Sequence, residues 1–313
     1  MIKLYDFNDC EKNFRVYGGT AGRKQGIIFE GENYILKYPG NVREFKNINV
    51  SYSNSPVCEY LGSHIYEILG IPVHETLLGT QGNKIVVACK DFLKEGEKLN
   101  EFGAIKVTFL PDFFDSNGNE TNGAGMDLEE ILKTIEEHPM LQKVDGVKER
   151  FWDMFVVDAL IGNPDRNNGN WGIISNNRNQ FWLAPVFDNG NCLNDKWDDE
   201  KMKAILNDER LLETEGFRGR RCIFELHSKR INPYQFIESM QNKECNAAVK
   251  RIVSRLDLQK IFELIDNISV ISSIQNRFYK AILRERYEKI LEPVYQKIIK
   301  KELNKKKEWI PKL

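Results

Sequence analysis

The chain has no paired cysteines. Its six, at 10, 58, 89, 192, 222 and 245, include no C-x-x-C, and none of its four histidines stands near one at zinc-finger spacing. That argues against a structural zinc site and leaves no disulfide framework to read from spacing. Several of the cysteines lie in apolar runs such as 85–89, which suits buried thiols in a reducing compartment. Long hydrophobic stretches are missing too. None approaches the ~20 apolar residues that a bilayer span needs, and residues 1–9 carry charge without a signal-peptide core. The expectation is a chain made in the cytoplasm with no membrane span, its delivery outside the cell without a cleaved signal left open. A basic excess is also lacking. Lys+Arg 45 against Asp+Glu 46 gives a net charge of -1, which speaks against nucleic acid as the main partner but allows a local basic patch. There is no internal repeat, and the one biased tract is a lysine-rich tail suited to a helix C-terminus.

What is present divides the chain in two. Residues 25–30 and 33–38 are β-prone runs around Gly31-Glu32, a hairpin signature. Pro56 opens a helix to Leu69 that Gly70 and Pro72 stop, and 73–78 and 84–88 read as strands. Residues 110–125, rich in Asp, Asn and Gly, read as an exposed loop. Helices are expected at 127–137 and 147–161, two short strands around Trp171 and Trp182, and helices beyond 198 ending in one from 274 to about 302. The fold class expected is α+β, a two-lobed protein-kinase-like fold with a small β-rich N-lobe (1–90) and a larger helical C-lobe (91–313).

The densest chemistry lies in 160–172, where Gly162-Asn163-Pro164-Asp165-Arg166-Asn167-Asn168-Gly169-Asn170-Trp171-Gly172 follows an apolar helix and precedes a strand. Phosphoryl transfer uses an aspartate to receive the acceptor hydroxyl's proton and an asparagine further round the loop to hold Mg²⁺. Asp165 and Asn170, with four residues between them, fit those roles. Phe187-Asp188-Asn189-Gly190 follows a short hairpin and offers Asp188 as a second oxygen ligand. Turn preference accounts for either segment alone; both in order, around a hairpin, favour a phosphate site.

Upstream, Gly18, Gly19, Thr20, Ala21 and Gly22 form a glycine-rich stretch whose N–H groups could approach phosphates, though it is not a Walker A loop. Lys37 alternates with apolar neighbours and so points inward, where it needs a carboxylate. Glu59 on the following helix is the first choice and Glu67 the second. An EF-hand-like start at Asp115 fails, because its sixth position is Glu120 and its twelfth Met126. The run Arg218-Gly219-Arg220-Arg221 reads as a solvated loop rather than a docking patch.

Together G-G-T-A-G-R-K, I-L-K-Y-P, S-P-V-C-E-Y-L-G, G-N-P-D-R-N-N-G-N-W-G and V-F-D-N-G resemble the HipA-like serine/threonine kinases of bacteria, in particular short members without an added N-terminal subdomain. The motifs span 17–190, and the asparagine-rich loop is the specific part. The resemblance implies an ATP- and Mg²⁺-dependent kinase acting on a protein substrate, and it implies roles residue by residue. Asp165 is catalytic, Asn170 and Asp188 bind metal, Lys37 meets the α/β-phosphates, and adenine hangs from backbone groups of Lys90 to Phe92. Two departures stand out. Asn167 replaces a histidine frequent in the family, and the glycine-rich stretch offers only Tyr17 and Thr20 in place of an autophosphorylated serine. Ser51, Ser53 and Ser55 are further acceptor candidates. Two other readings remain open: an ATP-binding pseudokinase or toxin-like interaction module, and a small-molecule kinase.

Overall fold

The computed structural model describes residues 1–15, 17, 23–42, 52–109 and 125–308, with side chains to 304. The glycine-rich stretch 18–22, Ser51, and most of the loop expected at 110–125 lie outside them. The N-terminal region is a curled six-stranded sheet. Its members are β1 (Tyr5–Asp6), β2 (Glu11–Lys12), β3 (Lys24–Phe29), β4 (Glu32–Lys37), β5 (Thr76–Gln81) and β6 (Lys84–Lys90), in the spatial order β1-β5-β6-β4-β3-β2. The β3–β4 hairpin turns at Glu30-Gly31, both at positive φ. Period-two alternation then sorts β4. Tyr34, Leu36 and Tyr38 join Phe7, Ile27, Val86 and Ala88 in a small core on one face, and Ile35 and Lys37 face the other way.

Helix α1 (Ser55–Ile68) packs on that second face with Val57, Cys58, Leu61, Ile65 and Tyr66 buried. Pro56 sits in its first turn, and Gly70 at φ +72° follows its end. The strand expected at 73–78 begins later, at Thr76, because residues 72–74 instead bond to Val186 (Val186 N to Pro72 O 2.8 Å, His74 N to Val186 O 3.0 Å). These bonds tie the two regions together.

The C-terminal region starts with a strand and helix that the sequence does not announce, β7 (Glu97–Glu101) and α2 (Phe102–Phe109). They are followed by α3 (Leu128–Glu137), α4 (Val147–Ile161), β8 (Gly172–Asn176) and β9 (Phe181–Leu183), and β7-β8-β9 form a sheet. Helix α4 is buried from Phe151 to Ile161, and its less buried residues, Lys148, Glu149 and Arg150, lie in the first turn. The remaining helices are α5 (Asp199–Leu206), α6 (Glu209–Glu213), α7 (Pro233–Ser239), α8 (Lys243–Arg255), α9 (Leu258–Asp266), α10 (Ser273–Arg286) and α11 (Glu292–Glu308). A π-helical turn, Tyr287–Leu291, joins the last two, so the long helix expected from 274 is continuous but locally widened. One large core runs from α1 through α4 to α10 and carries the cleft between the regions. Five of the six cysteines are buried and none is paired. No described helix is long and apolar enough to cross a membrane.

Candidate active site

Three elements converge on the cleft. From the sheet, Lys37 at the end of β4 places Nζ 3.0 Å from Glu59 Oε2 of α1 and 2.8 Å from Asp188 Oδ1 of the 187–190 segment. Glu67, the second choice, is exposed and meets His64. Glu59 is 2% exposed, and its other oxygen accepts from His74 Nε2 at 3.0 Å and Asn189 N at 2.9 Å. Burial alone would raise this carboxyl, but Lys37, His74 and the Asn189 N–H outweigh it and hold it well below the usual carboxylate range. Lys37 is pulled the opposite way by burial, and Glu59 and Asp188 keep its ammonium charged.

The second element follows α4. Gly162 ends the helix at φ +69°, and a Cβ there would lie 2.5 Å from the Arg286 guanidinium. Only glycine satisfies both the turn and that contact. The loop beyond is built on Arg166, 1% exposed. It clasps Asp158 of α4 (Nε to Oδ2 2.8 Å, Nη2 to Oδ1 3.0 Å) and donates to Asn170 O at 3.0 Å, Phe187 O at 2.6 Å and Asn189 Oδ1 at 2.6 Å. Burial opposes the charge of Arg166, yet Asp158 holds its guanidinium above its ordinary value. This side chain thus joins α4, the 163–170 loop and the 187–190 segment, leaving Asp165 and Asn170 on the cleft side.

Asp165 Oδ1 accepts from Asn167 Nδ2 at 3.2 Å, and Asp165 Oδ2 from Asn191 Nδ2 at 2.9 Å. Asn170 Nδ2 donates to the Asp165 carbonyl at 2.8 Å, which turns the amide oxygen, the atom a hard cation needs, away from that bond. Asp188 has φ +61°, a conformation uncommon for a residue with a side chain. Glycine 62 of α1 lets this segment close in, since a Cβ there would stand 2.8 Å from Asn189 Cβ. Asn170 and Asp188 face the same two cavities. A carboxylate and an amide oxygen are the donor set for a hard divalent ion, so these residues fit Mg²⁺.

The third element is the wall after β6. A cavity of 510 Å³ is lined by Ile35, Cys89, Phe92, Leu93, Leu99 and Ala104 together with Lys37, Asn170 and Asp188. Phe92 meets Phe187 with ring centroids 5.8 Å apart. The N–H groups of Lys90 and Asp91 are already spent on the carbonyls of Glu75 and Asn33, each at 2.9 Å, and the Lys90 side chain turns to Glu32 and Glu75. Lys90, Asp91 and Phe92 all line this cavity, with the Lys90 and Asp91 N–H groups bonded within the sheet. A second cavity of 550 Å³ adjoins the first and holds Asp165, Asn191, Lys196, Ser53 and Ser55. Of the other acceptor candidates, Tyr17 donates its hydroxyl to Asp91 Oδ2 at 3.3 Å.

Sequence reasoning missed the buried roles of Arg166 and His74 and the hydrogen bond from Asn191. An arginine inside an otherwise acceptor-rich turn could have flagged the first; no local signal points to the others. Folding also brings Glu59, His74 and Cys89 within 4.8 Å of one another, a grouping invisible in linear spacing. Both Glu59 oxygens are already engaged, and burial pushes the Cys89 thiol up, so the trio reads as the polar backing of Lys37.

Residues 21–268 match the HipA-like C-terminal domain. The chain is 37% identical over 305 residues, 96% of its own length and 90% of the relative's, to the serine/threonine-protein kinase CtkA of Helicobacter pylori strain J99. The crystal structure of the Helicobacter pylori proinflammatory kinase CtkA superposes with a TM-score of 0.86 at 35% identity, covering 95% of this chain and 98% of that one. HipA of Shewanella oneidensis, solved with HipB and operator DNA, matches at TM-score 0.52 and 11% identity over 91% of this chain and 69% of that one, a likeness of fold alone.

Proposed function

The chain belongs to the HipA-like C-terminal domain family, and from that premise we propose that it is an ATP- and Mg²⁺-dependent serine/threonine protein kinase that also phosphorylates itself. The observation that carries this reading is Lys37 bridging Glu59 and Asp188 across the cleft, on the wall of a cavity sized for a nucleotide. In this reading residues 1–90 clamp the nucleotide and 91–313 carry the transfer chemistry.

Adenine enters the apolar end of the cavity against Ile35, Cys89 and Leu99 and meets the chain at Phe92. The Lys37 ammonium holds the α/β-phosphates and is itself fixed by Glu59. Residues 18–22 are assigned to the phosphates on sequence alone. Asn170 and Asp188 would hold Mg²⁺, which supplies charge neutralisation at the phosphate oxygens. Asp165 takes the proton of the acceptor hydroxyl as that oxygen bonds to the γ-phosphorus. The bond from phosphorus to the ADP oxygen breaks with its electron pair leaving on ADP. Most of the rate gain then comes from alignment and fixed charge rather than from covalent chemistry by the protein. Incubation with labelled ATP, Mg²⁺ and a generic protein acceptor such as casein tests this: phosphoserine or phosphothreonine must form in casein or in the protein itself. Label confined to a small molecule, or none at all, overturns it.

A further inference from the structure

The catalytic loop has a charge problem. The only basic residue between Asp165 and Asn170 is Arg166, and it is turned inward and buried. On the cleft side the Asp165 carboxylate is met by neutral amides, Asn167 on one oxygen and Asn191 on the other. The Asn191 amide does not end the chain of contacts. Its own carbonyl oxygen accepts from Lys196 Nζ at 3.0 Å, and the same ammonium donates to Asp195 Oδ1 at 3.1 Å. Asp195 is 5% exposed, and its carbonyl accepts from Asn54 N, beside the first turn of α1, at 2.6 Å. Burial raises the Asp195 carboxyl, while Lys196 and the Ser53 hydroxyl oppose that rise.

An amide side chain whose oxygen is pinned by an ammonium cannot rotate freely, so its N–H₂ is aimed. We infer that Asn191 and Lys196 are positioning residues that fix the Asp165 carboxylate, with Asp195 tying them to the start of α1. Helix α1 also carries Glu59, so the seating of one helix governs both ends of the cleft: Lys37 through Glu59, and Asp165 through Asp195, Lys196 and Asn191. Lys196 acts through Asn191 and needs no contact with the nucleotide, so its loss strikes turnover rather than ATP binding.

This inference rests on the kinase reading, and the experiment separates the two. Transfer from labelled ATP to casein is measured for the full chain, for Lys196→Met, Asn191→Leu, the double variant and Lys196→Arg. Titration calorimetry with Mg²⁺-ATP and a melting curve accompany each. Relay action predicts kcat lower by about 10²-fold in either single variant, the scale of a misplaced reacting group. ATP affinity stays within about twofold, the double variant loses no more than the worse single, and Lys196→Arg regains part of the rate. An inactive parent chain overturns the kinase reading and this inference with it. An active parent with Lys196→Met near parental kcat overturns the inference alone. So do losses that multiply in the double variant, or a raised KM for casein with kcat unchanged, which would make Lys196 an acceptor-binding residue. Should Asn191→Leu fail to fold, Lys196→Met and Lys196→Arg still decide the matter.

Discussion

Replacing Arg166 by methionine separates what holds the site from what holds the fold. The variant keeps much of the side chain's length and removes its charge, leaving the 4% exposed Asp158 with Tyr66 Oη at 2.9 Å and Asn163 Nδ2 at 3.1 Å as its remaining side-chain partners among the described residues. A buried carboxylate stripped of its cation costs about 3–5 kcal/mol. At roughly 2 °C per kcal/mol for a chain of this size, Tm falls by about 6–10 °C. Removing the orphaned charge as well, in Arg166→Met with Asp158→Leu, relieves most of that cost and Tm recovers. Activity does not recover, because the carbonyls of Asn170 and Phe187, which Arg166 holds at 3.0 Å and 2.6 Å, remain unanchored. Transfer stays at least about 10²-fold down in both variants. Scanning calorimetry and the labelled-ATP assay read the two quantities on the same samples. A single variant that melts like the parent, or a double variant that regains transfer with its stability, refutes the reasoning.

Three further expectations concern the neighbouring groups. Lys37→Ala removes the cation that meets both Glu59 and Asp188 and should weaken Mg²⁺-ATP binding about 10–10²-fold, on the scale of a lost charge-assisted hydrogen bond; unchanged affinity in titration calorimetry contradicts the role. The Glu59 carboxyl is held low when folded, so its stabilisation is complete above its ordinary value near 4.5 and is lost as pH falls below it. Chemical denaturation from pH 6 down to pH 3 should therefore show a shallower decline for Glu59→Gln than for the parent, and parallel declines count against the account. Gly62→Ala gains helix propensity but sets a methyl 2.8 Å from Asn189 Cβ; overpacking of about 1–3 kcal/mol prevails over the gain of roughly 1 kcal/mol, lowering Tm and transfer together, and a variant more stable than the parent would reverse that sign.

Much of the cleft was legible in the chain because its signals are local. Alternation along residues 34–38 is enough to face Lys37 inward, and Glu59 is the first carboxylate of the helix that follows. The pairing itself follows from charge and burial, and the structure brings the two atoms to 3.0 Å. What was not legible depends on contacts distant in sequence. His74 reaches Glu59 from 15 residues away, and Asn191 reaches Asp165 from 26. Strand β7 carries Glu97, Lys98, Asn100 and Glu101, a polar run with weak strand preference that forms only because β8 lies alongside it. The pairing of the Lys90 N–H with the Glu75 carbonyl, 15 residues away, is likewise set by the sheet and not by local sequence.

In the proposed reaction Asp165 is the carboxylate that receives the acceptor's proton. Single-turnover transfer from labelled ATP to protein, compared between the parent chain and Asp165→Asn at equal Mg²⁺-ATP occupancy, addresses it most directly. The account predicts that the variant binds nucleotide as the parent does and transfers more slowly by about 10²–10⁴-fold, the range of a lost general base. Transfer by Asp165→Asn at the parental rate would contradict it.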